Sequence, residues 1–343
     1  MRLNRIIGAV CGLLLLSPAA AFAQNNEAVQ ERQVREQEIQ SFEKEIVEKK
    51  EEARKKAFIS SIEIEGKYET NPRLSSNGKA DKSSRFKYST FYKKLLGKGV
   101  IFNFNYDADG TVYSDFTDLT NILNHVRASL DKPFNKFLSA GVGYDFSSFY
   151  YPKEKDSDYF FHKGFVYVKN NISKTLYHQL TWEEGIKDYN HAKAYLNSTT
   201  TYTDNNRRDY RHAVEYGVGW MISPKTIWRI RTKYALNDSN AMYQDYHDHT
   251  TLDLTPSLNY KINEKLALNL SFTYTDKRYL ERLLAVSAAK RWDKTYSPTV
   301  CLRYLLTPSQ SLNLGYAYTQ NESNEPTGEY KSTAVTWGWQ YGF

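Results

Sequence analysis

From Phe58 to Phe343 the chain alternates apolar and polar residues over stretches of about ten positions, the period of a strand whose two faces meet different surroundings. The first stretch sets Phe58, Ile62, Ile64 and Tyr68 on one face and Ser61, Glu63, Glu65 and Lys67 on the other. Comparable apolar faces follow along the chain, among them Val100/Phe102/Phe104/Tyr106, Leu138/Val142/Tyr144/Phe146, Trp228/Ile230/Tyr234 and Val335/Trp337/Trp339/Tyr341/Phe343. In the sixth stretch the apolar face reads Phe161/Phe165/Tyr167, with Phe160, Val166 and Val168 making the opposite face nearly as apolar. In all, the pattern predicts fourteen strands.

The connections alternate as well. Short ones fall at 96–98, 131–136, 170–174, 223–225, 263–265 and 307–310, and long polar ones at 69–84, 109–117, 151–158, 187–208, 237–248, 277–290 and 320–328. An even strand number with short turns on one side and long loops on the other predicts an all-β fold, a 14-stranded antiparallel transmembrane β-barrel over residues 58–343. Both chain ends would lie in the periplasm and the long loops outside. A soluble sandwich is the competing architecture, but the polar faces carry charged residues, small residues and glycine, which suits a water-filled lumen.

Composition sharpens this picture. The 28 Tyr, 17 Phe and 6 Trp make 15% of the chain aromatic, and rings recur at the ends of the apolar bands. Tyr68, Tyr106, Tyr144, Tyr234, Tyr274 and Tyr318 mark the long-loop side, and Tyr92, Trp220, Trp228, Tyr260 and Tyr304 the short-turn side. Such rings suit the headgroup level, where one end of the side chain is dry and the other wet. Charge is mixed, with 46 basic against 39 acidic residues and no clustered basic stripe, so nucleic acid is not an expected partner.

Ahead of the strands, residues 1–23 read as a signal peptide: Arg2 and Arg5, an apolar run from Ile6 to Leu16, and Ala21-Phe22-Ala23 before Gln24. Its removal lowers the formal charge from +7 by the two arginines, to about +5. It also removes Cys11, and Cys301 alone makes no intramolecular disulfide and no metal cluster. No cofactor or metal is expected. Residues 24–57 are rich in Glu, Gln, Lys and Arg and lack Gly and Pro up to Lys56, with Ile39, Phe42, Ile46 and Ala53 as a thin apolar stripe. This predicts a short, charged N-terminal α-helix in the periplasm, able to contact a periplasmic partner.

The chain ends in Trp339, Tyr341 and Phe343 at alternate positions. This ending resembles the C-terminal signal of Gram-negative outer-membrane β-barrels, which implies the barrel assembly machinery, outer-membrane lipid and lipopolysaccharide as partners. A motif Tyr-x-x-Asn-(Asp/Glu)-Ser-Asn occurs at Tyr234 to Asn240 and at Tyr318 to Asn324, with a shorter version at Tyr68 to Asn71, as repeated hairpins would give. The final hairpin, from Tyr318 to Phe343, resembles the closing hairpin of the 14-stranded barrel in surface lipoprotein assembly modifiers and related barrels. The helical-repeat domain that precedes the barrel in those proteins has no counterpart in this sequence.

Two enzymatic readings can be tested on residues. A phospholipase barrel resembles a His-x-Ser-Asn-Gly motif, but Leu74 stands where Ser76-Asn77-Gly78 would need its histidine. An outer-membrane protease would pair Asp107-Ala-Asp109 with Asp245-Tyr-His247. The cluster Asp245, His247, Asp248 and His249 would alternatively hold a divalent cation. Solvated loop residues explain both sets more simply, and no enzyme is expected.

The inward face then carries the chemistry. Its basic members include Arg85, Lys87, Arg127, Arg211, Arg229, Arg231, Lys233 and Arg303, and its acids include Glu63, Glu65, Asp107, Asp145, Glu183, Glu215, Asp253 and Asp293. If the Pro224 turn sets the register, Lys233 pairs with Glu215, while Arg231 and Arg229 lie opposite Gly217 and Gly219 and project into free space. The expected function is a porin-like channel for passive passage of small polar solutes. Its predicted pore-lining residues are Arg85, Lys87, Arg127, Glu183, Arg211, Glu215, Arg229, Arg231, Lys233 and Asp253. The alternative is an export barrel for a polysaccharide or surface lipoprotein.

Overall fold

The computed structural model describes residues 58–284 and 287–343. The predicted signal peptide and the predicted helix over 24–57 lie outside the described residues. Alternation becomes fourteen strands: β1 (Phe58–Glu69), β2 (Asp81–Leu95), β3 (Ile101–Tyr113), β4 (Asn121–Pro133), β5 (Leu138–Tyr150), β6 (Tyr159–Asn171), β7 (Leu176–Ser198), β8 (Thr201–Ser223), β9 (Thr226–Ser239), β10 (His249–Lys261), β11 (Leu266–Leu283), β12 (Lys290–Thr307), β13 (Gln310–Ser323) and β14 (Tyr330–Gly342). Each pairs antiparallel with its sequence neighbours, and β14 closes on β1 from Ser61↔Gly342 to Glu69↔Ala334. Closure leaves the sheet without an edge.

The sides of the wall are inverted relative to a water-soluble protein. Phe58, Ile64, Phe86, Val112, Leu314 and Trp337 are each more than half exposed, while Asp107, Asp145, Asp276 and Asp293 are buried. Apolar surface on this scale, all the way round a closed sheet, is stable only against hydrocarbon. Rings pair along the predicted girdles: Tyr274 and Tyr296 are 5.3 Å apart between centroids, and Phe58 and Tyr92 4.5 Å apart.

Two expectations fail. In β6 the lipid-facing side is Phe160, Val166 and Val168, whereas Phe161 and Phe165 point inward and are buried. Tyr167 also faces inward, its hydroxyl hydrogen-bonded to Asp131. The reason is an apolar cluster inside the barrel, where Leu123, Phe149, Tyr151, Tyr159, Phe161 and Tyr189 pack together. The second failure is the long loop expected over 187–208. Instead β7 and β8 run on as a two-stranded hairpin, 23 residues each, joined at 199–200.

The repeated motif does the same work twice. Asn237 and Asn321 donate from Nδ2 to carbonyls at the far end of their own outer loops, His247 O at 3.1 Å and Gly328 O at 2.5 Å. The last Asn of each motif clamps the preceding strand: Asn240 bonds Asn206 O and the Arg208 N–H, and Asn324 bonds Lys290 O and the Trp292 N–H. Asn71 donates to Ser75 O at 2.7 Å in the shorter version. These three outer loops are thus held by amide side chains that satisfy backbone groups left over when the ladder stops.

Candidate functional site: the barrel interior

Inward positions split into two unlike walls. From β10 to β14 the lining is mostly hydroxyl and amide groups, such as Thr251, Ser257, Asn269, Thr273, Thr299 and Asn313. These side chains bond one another across strands, as in Asn269 Nδ2 to Asn259 Oδ1 at 2.6 Å and Thr295 Oγ1 to Asn321 Oδ1 at 2.9 Å.

From β2 to β9 the interior instead carries a belt of alternating charge. Lys87 stands 3.6 Å from Asp107, and His125 hydrogen-bonds Asp145 at 2.9 Å. Lys163 meets Asp145 at 3.0 Å and Glu183 at 3.6 Å, and Lys233 donates to Glu183 at 2.7 Å. Arg85 donates from Nε to Asp109 at 2.7 Å. Arg127 lies 3.6 Å from Asp145 and over the Phe165 ring at 4.2 Å. Most members are buried, Lys87, Asp107, Asp109, His125, Asp145 and Lys233 among them, so each charge has an opposite neighbour in place of water.

A cavity of about 1240 Å³ runs between the walls. Along β11 it is lined from Ala267, beside the short turn, to Arg282, beyond the outer girdle. At the outer end, Tyr195 stacks on His247 at 5.3 Å, Arg282 covers Tyr246 at 4.0 Å, and Glu325 holds both Arg282 and Arg291. The Met242 N–H donates to Tyr195 O at 2.8 Å, so the loop after β9 is hydrogen-bonded to the β7–β8 hairpin. Burial, with Arg207 close by, holds the His247 imidazole well below its ordinary pKa. At Asp81, burial pushes the carboxyl up, but the N–H groups of Phe116, Asp115 and Lys82 outweigh it and hold the pKa below the usual range.

Of the residues singled out from sequence, Arg85, Arg211, Glu215, Arg229, Arg231 and Asp253 border this cavity. Lys87, Arg127, Glu183 and Lys233 belong to the belt just described. The register read from the Pro224 turn is present, with Glu215↔Lys233, Gly217↔Arg231 and Gly219↔Arg229. The side chains pair differently: Lys233 reaches Glu183 on β7, and Arg231 lies 3.5 Å from Glu215. Arg231 therefore does not project into free space. Space beside Gly219 is taken by the Tyr177 ring, which carries Lys169 over its face at 4.3 Å. Sequence reasoning missed this inward aromatic set, whose signal was the two-sided apolarity of the sixth strand.

Asp107 is fully buried and bonded within the belt, out of reach of a substrate. Among the described residues no group of His, Cys, Asp and Glu is arranged to hold a metal ion.

No family model matches the chain, and no curated protein sequence matches it. Among solved structures it is similar to an anion-selective porin from Comamonas acidovorans, with TM-score 0.49 and 10% identity over 83% of this chain and 98% of that one. The CymD monoaromatic hydrocarbon channel gives TM-score 0.47 and 10% identity over 84% and 88% of the two chains. OmpT of Vibrio cholerae, an outer-membrane protein, gives 0.45 and 11% over 85% and 99%. A closed, even-stranded antiparallel barrel with an apolar outside, aromatic girdles and a polar inside defines the class: this chain has the architecture of a transmembrane β-barrel of the outer-membrane type.

Proposed function

We propose that the barrel is a passive channel for small polar solutes, without catalytic activity. One observation carries this reading: the polar cavity continues along the strands, bordered from Ala267 to Arg282 on β11 by groups that bond water and small solutes equally well. The belt and the inner aromatic cluster thicken the β2–β9 wall, so the path runs off-centre, against the hydroxyl and amide wall. Fourteen strands give an interior between the filled eight-stranded and the open sixteen-stranded cases, consistent with a narrow conduit.

Purified barrel in a planar bilayer tests this. Stepwise, ohmic single-channel currents are expected. A membrane that holds folded protein and stays silent refutes the channel and favours the export reading.

A further inference from the structure

The interior charges nearly cancel in number but not in place. Along β1–β3 the cavity is bordered by Glu63, Glu65, Glu69 and Asp109 against Lys67 and Arg85. Along β6–β9 it is bordered by Lys169, Lys187, Arg207, Arg211, Arg229 and Arg231 against Asp209 and Glu215. In the closed order of strands β8 is seven steps from β1 in either direction, and β9 is six steps by way of β14. The acidic and basic groups therefore stand on opposite sides of one lumen, separated by a wall of mostly hydroxyl and amide groups in which Asp253, Lys277, Arg282 and Arg303 are the charged members.

Register sets their heights. Paired positions lead from Arg229 through Ser257, Ser271, Thr299, Ala317 and Ala334 to Glu69. With strands tilted by about 40°, six such steps of about 4.8 Å climb about 18 Å. Descending β1 from Glu69 to Glu63 recovers about 15 Å of that climb at 3.3 Å per residue. Glu63 thus lies across the lumen between the levels of Arg229 and Arg231, and Glu65 just above.

Charges of opposite sign on facing walls make a field directed across the path, which low-dielectric walls concentrate. A solute of one sign gains at one wall and loses at the other. A solute with both signs on its two ends gains at both when it lies crosswise. We infer that the channel favours zwitterionic solutes of amino-acid to dipeptide size, held crosswise between the Glu63/Glu65 side and the Arg229/Arg231 side. This inference rests on the channel reading above.

The test is solute entry into liposomes carrying the mature barrel, with glycylglycine compared against neutral N-acetylglycinamide. At low ionic strength the dipeptide is expected to enter about threefold faster, and the ratio to fall toward one near 1 M salt, where screening acts over about 3 Å. Glu63→Gln with Glu65→Gln should move the reversal potential toward anions, and Arg229→Gln with Arg231→Gln toward cations, each reducing the dipeptide preference. Equal entry of the two solutes into wild-type liposomes at low salt overturns the inference while leaving a conducting channel intact, and so does a shift of both variants in the same direction. Absence of any conductance overturns both readings.

Discussion

The ring of Phe165 fills the place of a side chain at Gly143: a Cβ built on that glycine would lie 2.2 Å from the ring's Cζ and 2.7 Å from the Ala128 carbonyl oxygen. The two residues are paired across β5 and β6. Because the β4 backbone also lies within clashing distance on the other side, a methyl group cannot be accommodated by movement of the ring alone. The stacked position of Arg127 over Phe165, and with it the cover over Asp145, depends on that bare backbone.

Gly143→Ala should therefore destabilise the barrel, by about 1 to 3 kcal/mol as overpacking does, although alanine in a strand ordinarily costs less than glycine. Urea titration of the protein in lipid vesicles measures it. A control at Gly164, where a Cβ meets nothing within 4 Å, should be neutral or mildly stabilising.

Glu183 joins two lysines, Lys163 and Lys233, from strands on either side of β7 and β8. Replacing it with Gln leaves both cations facing each other without their shared anion. The expected loss is about 3 kcal/mol, the scale for breaking a buried pair from one side. A second change, Lys233→Met, should restore part of it, and a double-mutant cycle on unfolding midpoints reads the coupling.

Acid should loosen the outer loops. His247 stays neutral in the packed state because burial and the nearby Arg207 oppose its charge. The unfolded loop takes up a proton near pH 6.5, so packing stability is full above that pH and declines as the pH falls below it. Asp81 acts in the same direction but at lower pH: its lowered pKa adds stability that is lost only as the pH falls through the ordinary carboxylate range, leaving His247 as the responsive group near pH 5. Limited proteolysis of the 240–248 loop should be faster at pH 5 than at pH 7.5. His247→Gln should flatten that difference.

Phe343 closes the seam. Its N–H donates to Ser60 O at 2.9 Å, its carbonyl accepts from the Ser60 N–H at 3.1 Å, and its ring stacks on Tyr341 at 5.8 Å. Deleting Phe343 should lower the fraction of heat-resistant, folded barrel recovered from outer membranes. Phe343→Tyr should assemble normally. Equal recovery of the deletion and the wild type would count against the assembly role.

Strand number and direction were legible because thirteen of the fourteen strands separate lipid from lumen, and period-two alternation records that separation. The sixth was misread because Phe161 joins an internal cluster and Phe165 is buried under Arg127, so both faces of β6 are apolar for different reasons. The outer part of β7 and β8 was invisible for the converse reason: beyond the membrane both faces are wet, and a polar strand reads as a loop. Within the site, the register of Arg229, Arg231 and Lys233 was legible from the Pro224 turn. Their ion partners were not, since tilted strands let long side chains reach diagonally, as Lys233 does to Glu183.

The β7–β8 hairpin projects about ten residues beyond Lys187, some 30 Å at strand rise. Its two strands brace each other, and it is tied to the 240–248 loop through Tyr195 O and Met242 N. Its turn, at Thr199 and Thr200, lies at the end remote from the short turns. The Tyr195 ring also stacks on His247 of that loop, and Asn240 bonds the Asn206 carbonyl and the Arg208 N–H, so a displacement of the hairpin base would reach the loop at the cavity's outer end through several contacts at once.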